Sequence, residues 1–214
     1  MSTDEVRDDA ARALPTPQDA GSGIAGTARL RHRPRLIVNT GDGKGKSTAA
    51  FGMGLRAWAQ GWSIGVFQFI KSGRWHTGEE KAYAQLNEAH HATGVGGPIE
   101  WRSLGAGWTW SRATAQIDQA ALAAEGWEHV TQLLAAQTHR LYILDEFAHV
   151  LNKGWLDVNQ VAEVLTARPG NQHVVITGRH CPPQIIRIAD IVTSMDKLKH
   201  PFDAGERGQA GIEW

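Results

Sequence analysis

From residue 36 onward, short apolar runs closed by polar residues or glycine alternate with stretches whose apolar residues return every three or four positions. LIVN, beginning at Leu36, reads as a strand, a glycine-rich turn follows, and Ser47 to Gln60 reads as a helix carrying Ala, Phe, Met and Leu. SIGVFQFI (63–70) is a second strand and residues 79–91 a helix with Tyr83 and Leu86 on one face. Residues 99–104 form a third strand, 105–110 a turn of glycine and tryptophan, and 114–138 a long Ala-rich helix. LYIL then runs without alternation into Asp145 and Glu146. A helix over 158–167, the strand HVVIT (173–177), a short helix over 182–189 and a last strand over 191–194 complete the pattern. Apolar strands alternating with helices predict an α/β domain of three layers, in which helices cover both faces of a mostly parallel central sheet. Ligands of such sheets bind beyond the carboxyl ends of the strands.

Residues 1–34 lack this periodicity and are rich in Ala, Gly, Pro, Asp and Arg, which predicts a mobile arm before a single domain over 35–214. Acidic residues stand where a secretory signal needs positive charge, and no apolar run has the length of a membrane span, so a soluble, cytoplasmic protein is expected. The one cysteine, Cys181, cannot close an internal disulfide and has no Cys or His at zinc-ligand spacing, which agrees with a reducing compartment. Lys plus Arg and Asp plus Glu both total 22, leaving no net field to gather nucleic acid or anionic lipid.

The turn after the first strand reads Thr40-Gly41-Asp42-Gly43-Lys44-Gly45-Lys46-Ser47-Thr48. Between a strand and a helix, its backbone N–H groups and the helix N-terminus can cradle phosphates, Lys46 supplies a point charge and Ser47 a hydroxyl for Mg²⁺ or Mn²⁺. The strict P-loop pattern has Gly at the position of Thr40, whereas here Gly stands at 41. A dinucleotide-binding glycine turn does not fit, because Lys46 occupies the place of its third glycine. In a P-loop protein the acidic strand end Asp145-Glu146 is expected to serve the metal beside the phosphates, and pattern alone leaves open which carboxylate does so.

Arg179 follows HVVIT at the same sheet edge and Arg56 lies on the first helix; each is a candidate triphosphate contact or a surface arginine. Of nine tryptophans, Trp101, Trp108 and Trp110 gather around GAGWTW, where they could form a flat wall for a large planar ligand or pack beneath a loop. The ten histidines show no metal-ligand spacing, and no Ser-His-Asp arrangement can be built, so a side-chain nucleophile has no support.

Five segments in order, VNTGDGKGKSTAAFGMGLRAWAQGWSIGVFQFIKS, GAGWTWSR, ILDEF, LTARPGNQHVVITGRH and KHPFDAGERGQAGIEW, together resemble the ATP:corrinoid adenosyltransferases over roughly residues 35 to 214. The resemblance implies a P-loop NTPase-like fold and a reaction in which a Co(I) corrinoid attacks the 5′ carbon of ATP and triphosphate leaves. The nucleophile then belongs to the substrate. By resemblance, Gly41 to Thr48 wrap the triphosphate, ATP lies in the reverse direction from other P-loop proteins, and Ser47 and Glu146 contact magnesium. Arg56 and Arg179 match arginines associated with the active site. Trp108 and Trp110 match the aromatic positions of a G-[FW]-x-W loop that faces the lower side of the corrin ring. Displacing the lower axial ligand there leaves cobalt four-coordinate and eases its reduction to Co(I), which a reductant or flavoprotein supplies. The resemblance also implies a homodimer, and an N-terminal segment folded over an active site.

Two other readings follow from a P-loop alone. A small-metabolite kinase or nucleotidyltransferase releases ADP or pyrophosphate rather than triphosphate. A non-catalytic ATP-dependent switch binds ATP without corrinoid-dependent consumption.

Overall fold

A computed structural model of the protein describes residues 33–70, 77–105 and 118–213. The predicted arm falls almost wholly on residues outside this set, as do the first residues of the helix expected over 114–138. Six strands form one sheet: β1 (Leu36–Thr40), β2 (Ile64–Gln68), β3 (Ile99–Ser103), β4 (Leu141–Asp145), β5 (His173–Thr177) and β6 (Ile191–Ser194). Their order is β3-β2-β4-β5-β1-β6 and every neighbouring pair is parallel, so the sheet is parallel throughout. The helices are α1 (Lys46–Trp58), α2 (Gly78–Thr93), α3 (Gln119–Ala135), α4 (Phe147–Asn152), α5 (Val158–Ala167) and α6 (Pro183–Ile188), with a 3₁₀ turn over Pro201–Ala204.

The two-residue period of the strands divides the core in two. Ile64 and Val66 of β2, Leu141 and Ile143 of β4 and Val175 of β5 face Ala50, Phe51 and Ala57 of α1 and Tyr83 of α2. Their alternates Phe67, Tyr142, Leu144, Val174 and Ile176 face the other way, against Trp127 and Val130 of α3, Phe147 and Val150 of α4, Leu165 of α5 and Ile185 of α6. Each fully buried aliphatic or aromatic side chain stabilises the fold by about 1.5–3 kcal/mol. Continuous burial along β2 and β4 explains why both read as unbroken apolar runs rather than alternating ones.

Helix starts follow local chemistry. Thr77 Oγ1 accepts from the Glu80 N–H at α2, Asp118 from the Ala121 N–H at α3, and Asp157 from the Asn159 and Gln160 N–H groups at α5. Gly94, left-handed at φ 75°, ends α2, and Arg168-Pro169 ends α5. The sequence pattern does not show α4: six residues, mostly buried, are too few to display a period.

A glycine-rich loop and an acidic strand end at one sheet edge

Polar side chains close the apolar strands at the carboxyl edge of the sheet. Asn39 and Thr40 end β1, Gln68 ends β2, Asp145 ends β4 and Thr177 ends β5, and all five are buried. Strand register sets Gln68 beside Asp145 and Asn39 beside Thr177. Burial obliges each to find a partner. Asn39 donates to the carbonyl of Lys46 at 3.2 Å, and Thr40 Oγ1 accepts from the Cys181 N–H at 3.1 Å.

Between β1 and α1 the chain turns through Gly41 (φ 91°) and Gly45 (φ 105°), a backbone region closed to most side chains. Gly43 lies against the segment that leaves β6: its N–H donates to the Met195 carbonyl at 2.6 Å, and a Cβ at 43 would stand 2.6 Å from the Asp196 carbonyl oxygen. Met195 in turn donates to the Thr40 carbonyl at 2.9 Å, fastening the loop to the sheet edge. Unlike α2, α3 and α5, α1 begins at Gly45 with no side-chain cap among the described residues. Its first N–H groups lack intrahelical partners and carry the positive end of the helix dipole, which is a site for an anion.

Lys46 opens α1 with 7% of its surface exposed, and its ammonium donates to the Gly43 carbonyl. Burial holds its pKa below the usual lysine value, Arg179 and Lys44 push the same way, and Glu146 and Asp42 oppose them. Positive groups therefore converge on the loop. Ser47 is half-buried and Thr48 exposed in the first turn of α1. Lys44 carries an ion pair to Glu213 of the chain's tail, and Asp42 lies 3.5 Å from His180.

The two carboxylates of the acidic strand end lie in different surroundings. Asp145 is wholly buried; Oδ1 accepts from Thr177 Oγ1 at 2.9 Å and Oδ2 from Gln68 Nε2 at 3.0 Å. Glu146 is half-buried in a left-handed conformation (φ 58°), with its N–H donating to Thr177 Oγ1 at 2.9 Å. Its charge is the largest favourable influence on the Lys46 ammonium. Lys46 and Glu146 are thus electrostatic neighbours, with Ser47 following Lys46 in the first turn of α1 and Asp145 buried next to Glu146 in the chain.

The structure separates the two candidate arginines. Arg179 is exposed at the end of β5 and bears electrostatically on both Lys44 and Lys46. Arg56 is exposed in the last turn of α1, ten residues beyond Lys46 and so ~15 Å along the helix axis, and it is not brought to the loop within this chain. Trp108 and Trp110 lie outside the described residues. Trp101 packs in the core, stacked on Phe51 at 5.3 Å. Cys181 is buried and its thiol is pushed up to about 12 by burial, so it offers no nucleophile near neutral pH.

A cleft of about 570 Å³ opens beside the loop, between Asp42, Lys44 and Arg179 on one side and the tail residues Lys197, Phe202 and Arg207 on the other. The buried partners Gln68 and Thr177 and the Met195–Asp196 clasp do not figure among the residues expected from motif spacing. Thr177 alone carries a positional signal, a polar residue closing an otherwise apolar strand, whereas Gln68 stands inside an apolar run and Met195 and Asp196 follow the last strand without one.

A family model described as ATP:corrinoid adenosyltransferase BtuR/CobO/CobP matches residues 32–214. The corrinoid adenosyltransferase CobA of Salmonella typhimurium is 40% identical over 179 residues, covering 84% of this chain and 85% of its own. Corrinoid adenosyltransferases of Pseudomonas aeruginosa and Escherichia coli K12 are 41% and 38% identical, each over 84% of this chain and over 83% and 85% of their own lengths.

Proposed function

Because the chain belongs to the ATP:corrinoid adenosyltransferase family, we propose that the loop from Gly41 to Thr48 holds the triphosphate of ATP as the leaving group while a Co(I) corrinoid attacks the 5′ carbon. The reaction transfers the 5′-deoxyadenosyl group: a Co–C bond forms with the electron pair of Co(I), the C5′–O bond breaks, and triphosphate leaves with that bond's electrons. No side chain has to act as nucleophile or base. What remains for the protein is to orient ATP, to offset charge on the departing triphosphate and to keep water from the reacting centre.

The observation that carries this reading is the convergence of an uncapped helix N-terminus with the buried Lys46 at the carboxyl edge of a parallel sheet. Burial is the main cause holding Lys44 and Lys46 below the usual lysine range, the Arg179 charge adds to both and Lys44 adds to Lys46, and a bound polyanion relieves that repulsion. Ser47 and Glu146 offer a hydroxyl and a carboxylate, hard oxygen donors suited to Mg²⁺ or Mn²⁺, and an ion bound chiefly by phosphate oxygens needs only one or two such groups. When bound, that ion would neutralise part of the triphosphate charge. Asp145, with its oxygens engaged by Thr177 and Gln68, supports the site from beneath.

Several further assignments belong to the same reading. Trp108 and Trp110 face the lower side of the corrin, a reductant or flavoprotein delivers Co(I), the arm over 1–34 precedes the domain over 35–214, and the enzyme works as a cytoplasmic homodimer. Arg56, far from the loop of its own chain, is left without a part in binding the triphosphate. No helix among the described residues is long and apolar enough to cross a membrane.

The test is anaerobic incubation of the full chain with ATP, Mg²⁺ and chemically reduced cobalamin or cobinamide, following the visible spectrum and the phosphate products. A light-sensitive Co–C spectrum growing in step with triphosphate is expected. ADP formed without corrinoid would instead indicate a kinase or a switch.

A further inference from the structure

The acidic strand end raises a problem of backbone geometry. A carboxylate meant for a metal stands at Glu146, yet Glu146 is not glycine and holds a left-handed conformation (φ 58°), a region that disfavours β-carbon-bearing residues. Such a conformation persists only where its surroundings determine it. The N–H of Glu146 is fixed by Thr177 Oγ1 at 2.9 Å, and the Thr177 hydroxyl spends its own proton on Asp145 Oδ1 at 2.9 Å. The Gln68 amide takes the other Asp145 oxygen at 3.0 Å. Asp145 and Thr177 are fully buried, as is Gln68. A single hydroxyl, accepting from one residue and donating to its neighbour, thus clamps the two-residue turn that presents Glu146. Only Thr or Ser supplies both functions on so short a stem.

We propose that Thr177 is a positioning residue for the reaction, its hydroxyl tying the Glu146 backbone to the buried Asp145 carboxylate and so setting Glu146 for the metal that accompanies ATP. This rests on the reading that Glu146 helps to hold that metal. Partners that orient a metal-holding group from behind commonly carry 10–100-fold of metal affinity or activity. Valine fills nearly the volume of threonine and keeps its strand preference, so Thr177→Val removes the clamp with little change in shape.

The experiment titrates Mn²⁺ into the full-length protein with ATP and no corrinoid, so that no transfer occurs, and follows free Mn²⁺ by electron paramagnetic resonance. ATP affinity without metal is measured alongside. Thr177→Val is expected to weaken Mn²⁺ binding about 10-fold or more, leave metal-free ATP affinity within about twofold, and be rescued by Thr177→Ser, which keeps the hydroxyl. Thr177→Ala serves as a second hydroxyl-free variant should Val fail to fold. Glu146→Gln separates the two layers of the argument. If it weakens Mn²⁺ binding while the hydroxyl-free variants do not, the positioning role is overturned and the metal reading stands. If it leaves Mn²⁺ binding unchanged, the metal reading fails and the positioning role falls with it.

Discussion

Lys46 is the side chain on which the proposed phosphate site most depends, since it is buried, opens an uncapped helix and sits among charges of both signs. Lys46→Ala should leave the fold intact, because the ammonium's partner within the chain is a loop carbonyl, and should reduce ATP binding below detection in calorimetry. Near-normal affinity would remove the loop from the mechanism. Cys181 makes the opposite case: burial and a thiol raised to about 12 predict that iodoacetamide at neutral pH leaves the native protein unmodified and labels it once urea exposes the site. Prompt labelling of the folded chain would contradict its buried placement. At this scale the sequence was legible where function follows local spacing. The glycines, Lys46 and Ser47 all lie between positions 41 and 47, so one turn must bring them together. Thr177 and Gln68 reach Asp145 from other strands, and no spacing along the chain encodes that meeting. Arg56 and Arg179 are equivalent candidates in the sequence, and the helix sets Arg56 in the last turn of α1 while Arg179 follows β5 at the loop's edge of the sheet.

Among the elements, α1 joins the phosphate loop to the core and contains two glycines whose surroundings differ. A β-carbon at Gly54 would lie 2.1 Å from Tyr83 Oη and 3.1 Å from Ile143 Cδ1, whereas one at Gly52 meets nothing within 4 Å. Tyr83 Oη donates to the Phe51 carbonyl at 2.5 Å, so Gly54→Ala must displace a buried hydrogen-bonded tyrosine. The helix-propensity gain of about 1 kcal/mol is common to both sites, and overpacking costs about 1–3 kcal/mol. Urea denaturation should therefore show Gly52→Ala more stable than the parent by up to about 1 kcal/mol and Gly54→Ala less stable. Equal effects would mean that α1 does not pack against Tyr83 as described. Among the described residues, every strand and every helix but α4 is legible in the sequence pattern, and all of these but the exposed β6 have a buried face to display. Boundaries shift by a few residues where burial outlasts the strand, as at Phe69 and Ile70, which are buried beyond the end of β2. The short α4 is the exception, since six mostly buried residues are too few to display a period.

Across the whole molecule the two ends of the sheet carry different tasks, and pH should separate them. At the amino end, the buried His139 donates from Nε2 to Glu100 at 2.9 Å, and the Nδ1 of His173 accepts from the Arg35 N–H at 3.1 Å. Burial is the main cause holding both imidazoles below the usual histidine range. For His173, Arg140, Arg168 and Arg35 add to the depression, and for His139 the bond to Glu100 partly offsets it. Burial lowers His149 on α4 in the same way. A folded state with depressed histidine pKa values binds fewer protons than the unfolded chain just below the ordinary histidine pKa of 6.5. Stability is therefore full above that value and declines as pH falls through it toward the folded pKa values. Glu100 extends the trend to lower pH: burial raises its carboxyl, but hydrogen bonds from His139, Arg102 and His129 outweigh that and hold it below the usual range. Thermal unfolding should thus move to lower temperature between about pH 7.5 and about pH 5.5. His173→Asn, which keeps an acceptor for the Arg35 N–H but cannot titrate, should give a shallower dependence. A Tm that is flat or rises on acidification would refute this account. Because His139 and His173 lie at the edge opposite the phosphate loop, the variant should keep the parent's ATP affinity at neutral pH, so that the acid sensitivity it removes belongs to the scaffold rather than to the site.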